Sequence, residues 1–365
     1  MKPSLCGWRR FAVAAMLIST SIWGQDEAPS SGLINHSGII YSGRTGKMYA
    51  VDSEHGAVAI VAANGSTKLL KTGLGPVSVA ANGQTGRVYV VNSGDKSVSV
   101  VDGDTDTLLA TVPTAARPYA VEVDELRDRV YVSNTFSNQL TMIEGKTNIA
   151  TNLKTGPVDA IAVDAQQGKV YLLNYESDSL TVLDEKTGAI SKISAGPLHL
   201  WAITEFDKTL YVTHVQDATV TAIDTETHVT REIATGAMPC ALAVDSKRGE
   251  VYVVNYVDAS VSVIDARRRM TVAAIKVGGH PQAIAIDSAK NLAYVADAQD
   301  GSVSVIDLEL RRVLKKLQPG GRPYALVVAT KTHRIFAAIM GSIPYLELIG
   351  PSSFGGGHRA LAEPH

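Results

Sequence analysis

Apolar residues along the chain come in short runs of four to seven, rich in Val, Ile and Tyr, and each run stops at Gly, Asp, Asn or Pro. Val88-Tyr89-Val90-Val91-Asn92 is apolar at nearly every position, whereas Ser97-Val98-Ser99-Val100-Val101-Asp102 alternates. Runs of this kind predict β-strands, because β-branched and aromatic side chains suit a pleated backbone and the bounding residues suit turns. No stretch beyond residue 31 carries a convincing helical period. The pattern predicts an all-β protein.

The runs also recur. Met48-Tyr49-Ala50-Val51-Asp52, Val130-Tyr131-Val132-Ser133-Asn134 and Val251-Tyr252-Val253-Val254-Asn255 are copies of one strand. Its aromatic falls at positions 49, 89, 131, 171, 211, 252, 294 and 336, so the steps are 40, 42, 40, 40, 41, 42 and 42. Each period holds four pieces: one after a proline (Pro118 to Asp124), the tyrosine strand, an alternating strand (Ser260 to Asp265) and a looser one (Leu108 to Val112). Four strands per period of about 41 residues predicts a β-propeller of eight four-stranded antiparallel blades, with seven blades as the alternative. Stacking covers both faces of a blade, which explains the continuous apolarity of the tyrosine strand. Val88 and Val90 should then face one neighbour, and Tyr89 and Val91 the other. Asp124, Asp164, Asp245 and Asp287 end first strands, and Asp102, Asp184, Asp224, Asp265 and Asp307 end third strands. Recurring short carboxylates at such places are expected to bond turn backbone.

Between Ile39 and Ile349 the pattern supplies eight copies of strands one to three but seven of the fourth. Residues 32–35 are expected to provide the missing strand by pairing with residues 345–349, leaving no open edge, with the tail 350–365 as the competing donor. Deleting residues 30–36 should then collapse thermal stability.

Composition narrows the context. The 365 residues are 45% hydrophobic and 19% charged, with 34 basic against 36 acidic side chains. That near-neutral balance excludes a bulk field for nucleic acid or acidic membranes, and the apolar content excludes a disordered chain. Lys2, Arg9 and Arg10 precede an apolar run from Phe11 to Ile18, and Gln25-Asp26-Glu27 follow a stretch of small residues. This predicts an export signal over residues 1–24, cleaved after Gly24 with Ser21 as the alternative. The run falls far short of the roughly 20 residues that span a bilayer, so no transmembrane segment is expected after cleavage. Residues 25–31 follow as a linker, 32–349 as one propeller domain, and 350–365, with Gly355-Gly356-Gly357, as a disordered tail. Cys6 leaves with the signal, and Cys240 is expected in the core.

The Val-Tyr-Val-x-Asn strand, followed by Ser-Val-x-Val-Ile-Asp and Gly-x-x-Pro, resembles the YVTN-type β-propeller repeat family over about residues 32–349. The resemblance implies an exported bacterial or archaeal protein of the periplasm or cell surface. It carries fold rather than activity, because the shared residues are packing and turn residues. More distantly, the repeat is similar to the eight-bladed domain that holds a haem d-type cofactor in bacterial nitrite reductases. Asp52, His214, Asp297 and Ile339 replace the motif's Asn and are expected to weaken individual turns.

Propeller chemistry is expected at one mouth of the axial opening. The loop into the first strand and the loop after the tyrosine strand share that face. The residue before the proline is Arg117, Arg322, His280 or Met238, with Gly75, Gly156 and Gly196 in other copies. Tyr119, Gln282 and Tyr324 follow the proline, and blade 5 offers His199 and Trp201. Phe136, Tyr175 and Tyr256 lie across the same face. Arginine forks suit carboxylate or phosphate, and aromatics supply stacking surface. The expected function is that of an exported, monomeric, non-enzymatic binding or scaffold protein recognising an anionic small molecule, glycan or peptide, with no cofactor. The alternative is a cofactor-dependent oxidoreductase or lactonase-like hydrolase using His199, His280, Arg117 and Arg322.

Sharper motifs fail. Asp102-Gly103-Asp104-Thr105-Asp106 lacks glycine at the sixth calcium-loop position (Thr107) and glutamate at the twelfth (Pro113). No His-x-x-x-His or Cys-x-x-Cys suggests zinc. Arg267-Arg268-Arg269 and Arg311-Arg312 predict a basic patch on the opposite face, without the wider stripe that nucleic-acid binding needs.

Overall fold

The computed structural model describes residues 38–135, 137–340 and 346–349, and all regular secondary structure among them is β. The strands form seven four-stranded antiparallel blades with strands in chain order, plus an eighth sheet of three strands. The inner strands are Ile39–Ser42, Pro76–Ala81, Pro118–Asp124, Ala160–Asp164, Leu200–Phe206, Pro239–Asp245, Pro281–Asp287 and Arg322–Ala329. Each lies against the next, and Arg322–Ala329 of blade 8 lies against Ile39–Ser42 of blade 1, so the β-propeller ring closes. Seven blades are complete, matching the alternative count, and the eighth sheet supplies strands one to three. The export signal, linker, closing strand at 32–35 and tail all lie outside the described residues.

The seams follow the sequence pattern. Tyr89 and Val91 pack with Val121, Val130 and Val132 of blade 3, while Val88 and Val90 pack with Tyr49, Val51 and Val58 of blade 1. Blade packing therefore needs apolar side chains on both faces of the tyrosine strand. The phenol adds a polar tip at the seam's edge. Tyr49 donates to the Gly103 carbonyl (3.3 Å), Tyr131 to Glu185 Oε1 (2.5 Å) and Tyr211 to the Ala266 carbonyl (3.4 Å). Each acceptor belongs to the residue that follows the third-strand aspartate of the next blade.

Turn carboxylates bond backbone, as expected. Asp102 accepts from the Asp104 and Thr105 amides. Asp184, Asp224 and Asp307 repeat the arrangement. The motif's Asn donates to hydroxyls of its own third strand: Asn92 to Ser97 and Ser99, Asn255 to Ser260 and Ser262. The expected weakening at the replacements is not what two of them show. Asp297 accepts from Ser302 (3.2 Å) and Ser304 (2.6 Å), and His214 Nε2 lies 2.7 Å from Thr221 Oγ1. A hydroxyl can donate or accept, so it serves an amide, a carboxylate or an imidazole alike.

The Gly-x-x-Pro linker has a steric cause. A Cβ on Gly236 would come within 2.8 Å of the Asn255 and Asp258 side chains, and one on Gly278 within 2.4 Å of Asp297. The linker crosses directly over the Asn site, which leaves no room for a side chain. Loop carboxylates then hold it from outside: Asp95 accepts from the Leu74 amide and Asp258 from the Ala237 amide.

Candidate functional site

Pairing registers define the mouth. Pro76, Pro118, Pro239, Pro281 and Pro323 sit opposite residue 92, 134, 255, 297 or 339 of their own tyrosine strands, and in blade 5 Leu200 sits opposite His214. The residue before each is Gly75, Arg117, Met238, His280, Arg322 and His199. His199 thus occupies the position at which the proline rule places Gly196, because the blade 5 linker carries its proline three residues early. Gly75, Arg117, His199, Met238 and His280 are all left-handed, with φ between 48 and 69°. Glycine adopts this conformation freely, whereas the four larger residues each pay about 1 kcal/mol. Their carbonyls accept from the loop after the tyrosine strand: Arg117 from Thr135, His199 from Val215, Met238 from Tyr256 and His280 from Ala298. The two loops expected on one face are hydrogen-bonded to each other.

Across the seams between blades, aromatics of one loop meet histidines of the next. Tyr256 of blade 6 stacks on His280 of blade 7, with centroids 4.5 Å apart and planes at 16°. Burial raises the Tyr256 phenol, and the Arg322 guanidinium of blade 8 opposes that rise. Tyr175 of blade 4 meets His199 (5.2 Å) and the edge of Trp201 (5.6 Å) in blade 5, and Gln216 donates to its hydroxyl at 3.4 Å. His199, Met238, His280 and Arg322 therefore form one arc over blades 5 to 8. Arg117 stands apart on blade 3. Both arginines and His280 are exposed, and His199 is half-buried.

The residues after the proline divide differently. Tyr119 is 8% exposed and packs in the seam with Val77 and Val91; Tyr324 is also 8% exposed and packs with Ile39 and Phe336. Burial pushes the Tyr324 phenol up to about 12. Both are seam wedges that reach the opening only by an edge. Trp201 is 4% exposed, and its Nε1 meets no hydrogen-bond acceptor among the described residues. Gln282 is half-buried, also with an unpartnered Oε1. Phe136 lies outside the described residues.

Cys240 is buried as expected, and burial pushes its thiol up to about 12, far from a reactive thiolate. Among the described residues no three His, Cys, Asp or Glu side chains gather to hold a metal ion. On the opposite face, Arg269 pairs with Asp224 (3.4 Å) and Arg311 with Glu250 (2.6 Å), so part of the basic patch ties neighbouring blades.

Asp159 was missed in the sequence. It occupies the position of Tyr119, accepts from the Tyr175 amide (2.9 Å) and Asn174 (3.2 Å), and is raised by burial. The pairing of Ile161 with Leu172 puts it there, although Pro157 alone suggests another register.

The fold and mouth define a β-propeller whose loop face carries a cationic and aromatic arc. No protein-family model matches the chain, and no curated protein does. Solved structures match it in fold. The dihydro-haem d1 dehydrogenase NirN, in complex with DHE, is similar over 94% of this chain and 85% of its own, at 13% identity and a TM-score of 0.71. Kuenenia stuttgartiensis hydrazine synthase covers 78% of this chain and 99% of its own, at 16% identity and a TM-score of 0.61. Apo AztD from Citrobacter koseri covers 80% and 88%, at 17% identity and 0.61. At these identities the likeness shows the propeller fold alone.

Proposed function

We propose that the chain is an exported YVTN-type propeller of the periplasm or cell surface that binds an anionic small molecule, glycan or peptide at its loop-face mouth. The observation that carries this reading is the Tyr256–His280 stack beside Arg322. A flat, partly exposed aromatic shelf near an exposed guanidinium suits a planar or sugar-borne carboxylate or phosphate. Tyr175 and His199 extend the shelf, with Trp201 packed against Tyr175, and Arg117 approaches the same opening from blade 3. Every recurring residue of the repeat has a packing or turn duty, which leaves these non-recurring side chains as the distinctive chemistry. The protein acts as a monomeric binder or scaffold.

Thermal-shift screening with dicarboxylates, sugar phosphates and uronates, followed by calorimetry, tests the reading. The best ligand should lose about tenfold or more in affinity on Arg322→Ala and His280→Ala. Unaltered affinity in both removes the mouth as the site. A second reading, catalysis with a bound cofactor, draws on the two histidines facing the opening from blades 5 and 7. A visible absorption band in protein isolated from its native compartment would favour it; a colourless protein that binds the anion favours the binder.

A further inference from the structure

The inner strands hold a second feature, toward the opposite end of the opening. Opposite the seam aromatic, seven blades carry a neutral residue, including Ala80, Ala162 and Ala285, whereas blade 3 carries Glu122 opposite Tyr131. No hydrogen bond or ion pair reaches its carboxyl among the described residues, and desolvation alone pushes it up to about 7. Glu122 lines a pocket of about 280 Å³ formed by the inner strands of blades 1, 2 and 3, with the half-buried Ile40, Ala80, Ala81 and Val123 among its walls. The exposed Glu125 also lines it, but its Oε1 is engaged by the Gly83 amide at 2.8 Å.

A half-buried carboxylate with no partner among the described residues gains when a cation with hydrogen-bond donors meets it. The half-buried Ile40, Ala80, Ala81 and Val123 beside the carboxyl favour a cation that also carries a short hydrocarbon part. The volume lies just below the range of about 300–1,000 Å³ usual for ligand pockets, which suits a guest with a chain of a few carbons. We propose that this pocket binds a small alkylammonium ion, its ammonium on Glu122 and its chain against Ile40, Ala80, Ala81 and Val123. The site is separate from the mouth, lies nearer the other face, and takes the opposite charge.

Calorimetry with n-butylammonium chloride tests it. At about pH 8.5 the wild type should show saturable one-site binding, and Glu122→Gln should bind about tenfold or more weakly. The wild type should also bind more weakly at about pH 5.5, where the Glu122 carboxyl carries a proton. Tyr41 and Glu125 are the other ionisable groups lining the pocket; burial raises the Tyr41 phenol, so it stays neutral across this range. The wild-type pH series needs no variant, so it decides the matter even if Glu122→Gln folds poorly. Arg117→Ala/Arg322→Ala should keep the butylammonium site intact, which separates this proposal from the anion site. Absence of saturable binding at either pH would overturn the proposal. So would equal affinity in folded Glu122→Gln, or an affinity that does not fall with pH.

Discussion

Glu185 follows the aspartate that ends the third strand of blade 4, where blades 2, 5 and 6 carry Gly103, Thr225 and Ala266. Its side chain is buried: Tyr131 donates to Oε1 at 2.5 Å, Arg127 lies 3.4 Å from Oε2, and the Asp124 carboxyl is within hydrogen-bonding reach. Two carboxyls that close hold one proton between them. Desolvation and Asp124 push Glu185 up to about 7. Asp124, despite its own desolvation, is held low by hydrogen bonds from Glu185 and Arg127. An acid raised in the fold contributes stability that is full below its unfolded value of about 4.3 and is lost as pH rises through its folded value. For Glu185 that window closes through about 7. The melting temperature should therefore fall between about pH 5 and pH 8, with Glu122 contributing to the same slope. Glu185→Gln, whose amide donates to Asp124 at every pH, should remove part of that slope. Calorimetric melts over the range check this, and an unchanged slope in the variant contradicts the shared proton. Turn aspartates and seam tyrosines were legible as structural in the sequence because they recur. Glu185 and Glu122 occur once each, and their surroundings come from a neighbouring blade that no local pattern reveals.

At the scale of the strand and its linker, the Asn site and the glycine above it act together. Asn255→Asp should be tolerated, since the Ser260 and Ser262 hydroxyls can turn to donate as their counterparts do to Asp297. Asn255→Leu leaves two buried hydroxyls without that partner and should cost about 1–3 kcal/mol in urea unfolding. Gly236→Ala should cost a similar amount, about 1–3 kcal/mol, because its Cβ would press on the Asn255 and Asp258 side chains. Gly43→Ala, with nothing within 4 Å of the added carbon, should change stability by no more than about 0.5 kcal/mol. Equal losses in the two glycine variants would contradict the close approach. Strand identity was readable from composition and period, and Gly-x-x-Pro marked the linker correctly. The register inside blades 4 and 5 was not readable, because Pro157 and Pro197 sit early in their linkers. Strand pairing then decides that His199 takes the position of Arg117 and that Asp159 takes the position of Tyr119.

Across the whole molecule, closure of the inner strands into a ring turns eight similar repeats into one opening with two unlike ends. The repeat period made the ring predictable from sequence, since a four-stranded sheet with two apolar faces is covered only by neighbours on both sides. Which non-recurring residues meet around the ring depends on blade order. Blades 5 to 8 are adjacent, so His199, Met238, His280 and Arg322 share an arc, while Arg117 stands on blade 3. Arg322→Ala should therefore weaken anion binding more than Arg117→Ala does, by about tenfold against a smaller loss, as read by calorimetry. The reverse order would move the site to blade 3. The most direct test of recognition at the mouth is a crystal structure with the tightest dicarboxylate, sugar phosphate or uronate from the thermal-shift panel. Density for that anion against Tyr256, His280 and Arg322 is the expected result; density on the outer strands, or anywhere off the axis, would contradict it.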